Sequence, residues 1–267
     1  EMVQRELKYQ AKLNGTTTTD VSMFAVKGAK TISFPRFGSL AVENRASAAA
    51  GTIQDITAEV DTLALNYRAY VSWLIDSTDE FQSKVEVTQE YVKRAASAHA
   101  RQLDEAVLAV LDASSGYQQT AGIDKTKILN ARKWLLKNQA DLSQCFIVVN
   151  PDDEALLLAI NEFVAADVYG SSNIPNGVIG KIFGMNVMVH TKPTLAKSFI
   201  YSKEAIAFGL QMAPNYAEQD AIEYGTTSKR AAVDQLYGHK ALQLGAGLDF
   251  AGAALGATLS PFIAEIG

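Results

Sequence analysis

The sequence predicts an α+β protein in which a long extended ribbon feeds directly into one long helix, with a compact α/β region after it. Three observations predict this. Between Thr52 and Ser115 the 267-residue chain contains neither glycine nor proline. Up to Trp73 the apolar residues alternate: Leu63, Leu65, Tyr67, Ala69, Val71 and Trp73 are separated by Thr62, Ala64, Asn66, Arg68, Tyr70 and Ser72. That is the period of a strand. Beyond Asp76, Phe81, Val85, Thr88, Val92, Ala95, His99, Leu103, Val107 and Val110 recur at steps of three and four, the stripe of a helix. A helix from about Asp79 to Ala113 is roughly 50 Å long at 1.5 Å per residue. Such an element suits a building block that must reach its neighbours.

The elements follow in order. Residues 1–29, polar and with a Thr16–Thr19 run and two glycines, read as an extended arm. Ile32 and Phe34 alternate with Ser33 in a short strand, Thr31 to Phe37, and Pro35 marks it as an edge strand because proline cannot donate to a ladder. Gly38 to Gly51 is small and polar, a soft tip, and the return strand runs on to Leu74. An isolated hairpin is marginal in water and presents unpaired edges, so a partner subunit is expected to cover it. Asp76-Ser77-Thr78-Asp79 offers N-cap candidates for the long helix, Glu80 sits in its first turn, and Gly116 ends it. Asp124 precedes a helix carrying Ile128, Leu129, Trp134, Leu135 and Leu136, and Phe146 to Val149 reads as a buried strand. Asn150-Pro151-Asp152-Asp153-Glu154 reads as an N-cap, a first-position proline and first-turn acids matched to the helix dipole. Leu156, Leu157, Leu158 and Ile160 follow on that helix. After a loop, Tyr169 to Gly177, come strands at Ile179, Val187–Val189 and Phe199–Tyr201. Ile206, Phe208 and Leu210 then alternate, Ala213 to Lys240 suggests further extended strands, and a Gly/Ala-rich tail closes the chain.

With 48% hydrophobic and 20% charged residues, the chain can bury a substantial core and does not read as disordered. The uncharged stretch Phe250 to Ala264 is short and interrupted by Gly and Pro, so no membrane association is expected. No signal peptide is read at the N-terminus. The single cysteine, Cys145, excludes an internal disulfide, fits a reducing compartment, and reads as a structural thiol in a buried strand. Residues 1–45 hold seven Lys and Arg against four Asp and Glu, although the net charge is −5. A basic arm on an acidic body can dock on the next copy of that body or touch nucleic-acid phosphate. Catalytic patterns are missing. His99, His190 and His239 lie far apart with no ligand partner at metal spacing. Gly177, Gly180 and Gly184 read as turn glycines, since they lack the spacing of a nucleotide loop. No catalytic residue, cofactor or metal is expected, and the chain is not expected to be an enzyme.

The order of parts resembles the major capsid proteins of tailed bacteriophages with the HK97-like fold, over essentially the whole chain. Val71-Ser72-Trp73-Leu74-Ile75-Asp76-Ser77 resembles the junction from hairpin to spine helix in that family. Glu90-Tyr91-Val92 through Gln102-Leu103-Asp104-Glu105-Ala106 is similar to the spine helix itself. Val148-Val149-Asn150-Pro151, with Leu156-Leu157-Leu158 after it, resembles the strand-to-helix step of the axial domain. Ile179-Gly180-Lys181-Ile182-Phe183-Gly184-Met185-Asn186-Val187 is similar to the glycine-punctuated strand that follows. The resemblance implies an N-terminal arm (1–27), an extended hairpin loop (28–70), and a peripheral domain with the spine helix (71–121). It further implies an axial domain (122–212), peripheral strands (213–241) and a C-terminal return to the axial domain (242–267).

The implied function is self-assembly, as hexamers and pentamers, into an icosahedral shell around the double-stranded DNA of a tailed phage. Portal, scaffold and decoration proteins are the implied further partners, with non-specific contact to packaged DNA. The implied location is the virion capsid, assembled in the host cytoplasm. Lys30, Arg36, Glu43 and Arg45 are then expected in intersubunit salt bridges, and Phe34 and Phe37 in apolar contacts. Lys27 and Lys30 lie near the base of the hairpin, which argues against the lysine–asparagine crosslink of some family members. Other readings stay open: an encapsulin-like nanocompartment shell around a cargo enzyme, an α/β enzyme using residues 122–212, or a decoration or tail component.

Overall fold

Two β-sheets share one helix. The computed structural model describes residues 13–14, 16–37, 42–44, 51, 53–54, 58–76, 87–119, 122–159, 178–190, 197–224, 228–242 and 260–266. The expectations for residues 1–12, the cap at 77–80, Phe81 and Val85, Ile160, the loop at 169–177 and most of the C-terminal tail lie outside these.

The ribbon forms as β2 (Thr31–Phe37) and β3 (Ala58–Ala64), antiparallel in full register from Thr31 opposite Ala64 to Phe37 opposite Ala58. The pair forms a sheet of its own, consistent with Pro35 on an unpaired edge. The return strand does not run unbroken to Leu74. It stops at Ala64, and the chain re-enters structure as β4 (Tyr67–Ile75), which belongs to a different sheet. That sheet has the order β1-β10-β11-β4, with β1 at Thr19–Asp20, β10 at Ile206–Asp220 and β11 at Lys229–Ala241.

Helix α1 (Val87–Ser114) has 28 residues and is about 42 Å long. Its stripe is broader than the expected 92/95/99/103/107/110. Leu103 and Ala106 pack with Phe208, Leu210, Tyr237 and Ala69 of the first sheet, whereas Val107, Leu108 and Leu111 pack with Phe146, Val148, Met188, Phe199 and Tyr201 of the second. Two sheets meet the helix from different sides near its end, so residues flanking the stripe are buried too. Gly116 does not cap the helix. It lies within β5 (Ser115–Gln119), which follows without a loop.

The second sheet has the order β5-β12-β9-β6-β8-β7, where β6 is Cys145–Val149, β7 Val178–Ile182, β8 Met185–Val189, β9 Phe199–Ser202 and β12 Ser260–Ile266. It is sandwiched. Cys145, Ile147 and Val149 face a core with Ile128, Ala131 and Leu135 of α2 (Lys125–Lys137) and Leu157 of α3 (Pro151–Leu158). Phe146 and Val148 face the end of α1. Burial on both sides is why β6 is apolar at every position. The Asn150 cap is as expected, its side chain accepting from the Asp153 N–H at 2.7 Å, and Asp124, expected just before α2, caps it by accepting from the Lys125 N–H at 2.7 Å. Phe183 and Gly184, at φ 48° and 89°, make the two-residue turn joining β7 to β8.

The expected extended arm is, from Leu13, partly built into this body. Leu13 is 1% exposed, plugged among Val107, Leu108, Leu111, Phe199 and Tyr201. Buried Asp104 of α1 accepts from the Leu13 and Asn14 N–H groups at 3.2 and 3.0 Å. The Thr17 hydroxyl donates to the Leu13 carbonyl, and the Tyr201 hydroxyl donates to Thr17, both at 2.7 Å.

Candidate assembly interface

The expected contact residues lie on and around the β2–β3 hairpin. Residues 19–29 form a strap along β10. β1 pairs in parallel with Ala207 and Phe208, the Val21 N–H donates to the Phe208 carbonyl at 2.8 Å, and the Leu210 N–H donates to the Ser22 hydroxyl at 2.8 Å. The ladder between β10 and β11 shifts register just after Leu210. The Gln211 side chain there donates to the Val26 and Ala29 carbonyls at 2.9 and 2.7 Å, holding the turn before the hairpin.

The hairpin then crosses the face of the first sheet that points away from α1. Ile32, Leu63 and Leu65 are buried with Val21 and Ala207, and Phe34 is half-buried against the same cluster. Lys240 of β11 forms an ion pair with Asp61 and donates to the Thr62 carbonyl at 3.0 Å. The proximal half of the hairpin is therefore fastened to its own subunit.

Among the described residues, the distal half carries apolar side chains that the subunit leaves bare. Val60 is 67% exposed, and beyond the paired strands Val42 and Ile53 are 96% and 93% exposed. Apolar side chains this bare in the hydrated monomer gain on association, at about 25 cal/mol per Å² removed from water.

The structure places the expected contact residues unevenly. Lys30 is exposed at the root, where its carbonyl accepts from the Leu65 N–H at 2.9 Å. Phe34 spends much of its surface inside the subunit. Arg36 and Phe37 lie on β2 opposite Glu59 and Ala58, with their side chains outside the described residues. Glu43 is exposed in the connection, and Arg45 lies outside the described residues. Val42, Ile53 and Val60 were missed. Their signal was available: Val42 is apolar in a stretch otherwise read as small and polar, and Ile53 and Val60 are apolar on the return strand.

Elsewhere the polar groups are structural. Asp153 points inward, unlike its exposed neighbour Asp152, and does more than match the helix dipole. It accepts from Ser198 Oγ, from Asn150 Nδ2 at 3.1 Å and from the Ile123 N–H at 3.3 Å, tying the ends of β6 and β9 together. Burial pushes the Cys145 thiol up to about 12, so it stays protonated and inert, as a structural thiol should. Hydrogen bonding to Arg68 holds the Asp234 carboxyl below the usual carboxylate range on the exposed sheet face. Among the described residues no group of His, Cys, Asp and Glu is arranged to hold a metal. Among them also, no helix is long and apolar enough to cross a membrane.

The comparisons agree with this architecture. The family model described as phage capsid protein matches residues 7–256. No curated protein sequence matches the chain. Among solved structures, one from Mycobacterium phage Che8 is similar with a TM-score of 0.73 at 16% identity, covering 99% of this chain and 93% of that one. The capsid structure of cyanophage P-SCSP1u is similar with a TM-score of 0.70 at 12% identity, covering 99% and 91%. The mature capsid of bacteriophage PhiM1 is similar with a TM-score of 0.66 at 14% identity, covering 90% and 86%. At such identities these likenesses speak for the fold.

Proposed function

Because the chain belongs to the phage capsid protein family and is a major capsid protein, we propose that it assembles as hexamers and pentamers into a closed icosahedral shell around double-stranded DNA. Self-association into capsomers and a place in the virion capsid come with the family. The HK97-like division, with residues 28–70 as extended loop, 71–121 and 213–241 as peripheral domain, and 122–212 and 242–267 as axial domain, is our reading of how the parts are used. Residues 1–27 serve as the arm in that reading, although Leu13 onward is packed. Assembly in the host cytoplasm and contacts with portal, scaffold, decoration proteins and DNA belong to the same proposal. The role is structural rather than catalytic.

One observation carries it: Val42 and Ile53 are almost fully bare on a ribbon whose root is fastened down. A neighbour's surface covers them, and many such weak contacts multiplied around closed symmetry hold a shell that no single interface would. In this reading Lys30 at the root and Arg36, Glu43 and Arg45 further along supply charged contacts, with Phe37 and the exposed part of Phe34 adding apolar ones. The family match favours this over an encapsulin-like compartment.

The double variant Val42→Asp with Ile53→Asp tests it. Its subunits should keep the wild-type circular dichroism and melting temperature yet give no closed particles by negative-stain microscopy and light scattering. Normal particles would sink the proposal. Arg36 is better probed as Arg36→Gln than as Glu, since position 36 is paired with Glu59 in the ladder and like charges directly opposite are destabilising.

A further inference from the structure

We propose that Gly238, with Gly209 beside it, forms a seat that fixes the angle at which the hairpin leaves the subunit. These are paired residues of β11 and β10, directly opposite one another on the face of the first sheet that carries the hairpin. Neither has the positive φ that calls for glycine, so backbone conformation does not explain them. Space does. A Cβ added at Gly238 would run into the Ala64 carbonyl oxygen, a backbone atom at the end of β3, and would also stand 3.1 Å from Leu65 Cδ2. A Cβ at Gly209 would stand 3.2 Å from Ile32 Cδ1 and 3.3 Å from the Leu63 and Leu65 methyl groups. Glycine inside a strand often marks such a close backbone approach.

The two positions differ in what must yield. At Gly209 the neighbours are side-chain methyls that can turn aside. At Gly238 the neighbour is main chain already fixed by the Thr31–Ala64 pairing, so the hairpin itself must lift. Lys240, two residues along β11, pins the same stretch through Asp61 and the Thr62 carbonyl. The Gln211 bonds to Val26 and Ala29 hold the other strand's approach. Seat, pin and strap together set the hairpin's inclination, and a ribbon turns a small tilt at its root into a larger displacement at its tip. Its consequence for shells rests on the capsid reading, because that tip is what meets the neighbour.

The test measures the angle in unassembled subunits. Spin labels at Val60→Cys on the hairpin and Ala109→Cys on α1 occupy exposed positions, while the native Cys145 is buried and stays unlabelled. Double electron–electron resonance should show a shifted mean distance in Gly238→Ala, a smaller shift in Gly209→Ala, and a broadened distribution in Lys240→Ala. The last variant leaves the sheet packing alone and serves if Gly238→Ala fails to fold. Unchanged distributions in Gly238→Ala, or in both Gly209→Ala and Lys240→Ala where the first is unfolded, would overturn the seat. In assembly, Gly238→Ala should lose closed shells or give open and irregular ones. Shells of wild-type diameter and yield from a subunit with shifted distances would overturn the link from angle to curvature. Shifted distances in a chain whose wild type forms no particles would leave the seat standing and remove instead the reading that the subunit closes shells unaided.

Discussion

His239 sits with its ring stacked on Tyr67 at 4.4 Å between centroids and near Tyr237 at 5.8 Å. Burial lowers its pKa from 6.5 to about 4. The unfolded chain therefore takes up a proton near pH 6.5 that the folded subunit refuses until about pH 4. By linkage, stability is full above pH 6.5 and is lost progressively as the pH falls towards 4. His239→Phe keeps the stack, removes the buried Nδ1 that has no hydrogen-bond partner, and abolishes the titration. Its melting temperature should fall less than that of the wild type between pH 7 and pH 4, measured on unassembled subunits. Parallel curves would rule out His239 as the source of acid sensitivity.

Among the elements, the packed N-terminal segment depends on one side chain of another element. Asp104→Ala leaves the buried Leu13 N–H unpaired, a loss of about 1–3 kcal/mol. We expect a lower urea midpoint together with faster amide exchange over residues 13–20; exchange confined to wild-type rates there would show that Leu13 alone holds the segment. This packing was not legible in the sequence, because Thr16–Thr19 looks like any polar linker and its partners lie about 90 or more residues away. Cap chemistry was legible because it is local: Asp124 and Asn150-Pro151 need only their own next turn. The break at Leu65–Asn66 was hidden for a geometric reason. Leu63 and Leu65 point down onto the top of the first sheet, and Val71 and Trp73 lie in that sheet pointing down again towards the helix side, so alternation passes through the break without a fault. Gly238 carried no local signal, since close approach is a property of two distant backbones. The candidate site was legible as a bare hairpin, but Phe34 was assigned outward because periodicity cannot say which surface a strand faces.

Taken whole, the subunit packs both sheets against α1, so the first sheet's cluster and the second sheet's core are coupled through one helix. Trp73 lies in the first sheet against Tyr91 and Tyr216, and Trp134 packs on the core under the second. Fluorescence of Trp73→Phe and Trp134→Phe variants should therefore report coincident urea transitions, once each curve is corrected for the stability of its own variant. Two separated transitions would divide the molecule into independent folding units.

The hairpin and its seat are also separated in time. Gly238 is translated 174 residues after Ala64 (238 − 64). At about 5–20 residues per second the interval is roughly 10–35 s. Throughout it the ribbon has no surface to rest on, and β4 has no β11 to pair with. A nascent or prematurely ended chain cannot set the ribbon at its working angle. A ribbon made long before its seat is thus set only once the chain has grown past β11, which ties its working angle to the synthesis of a strand far along the chain.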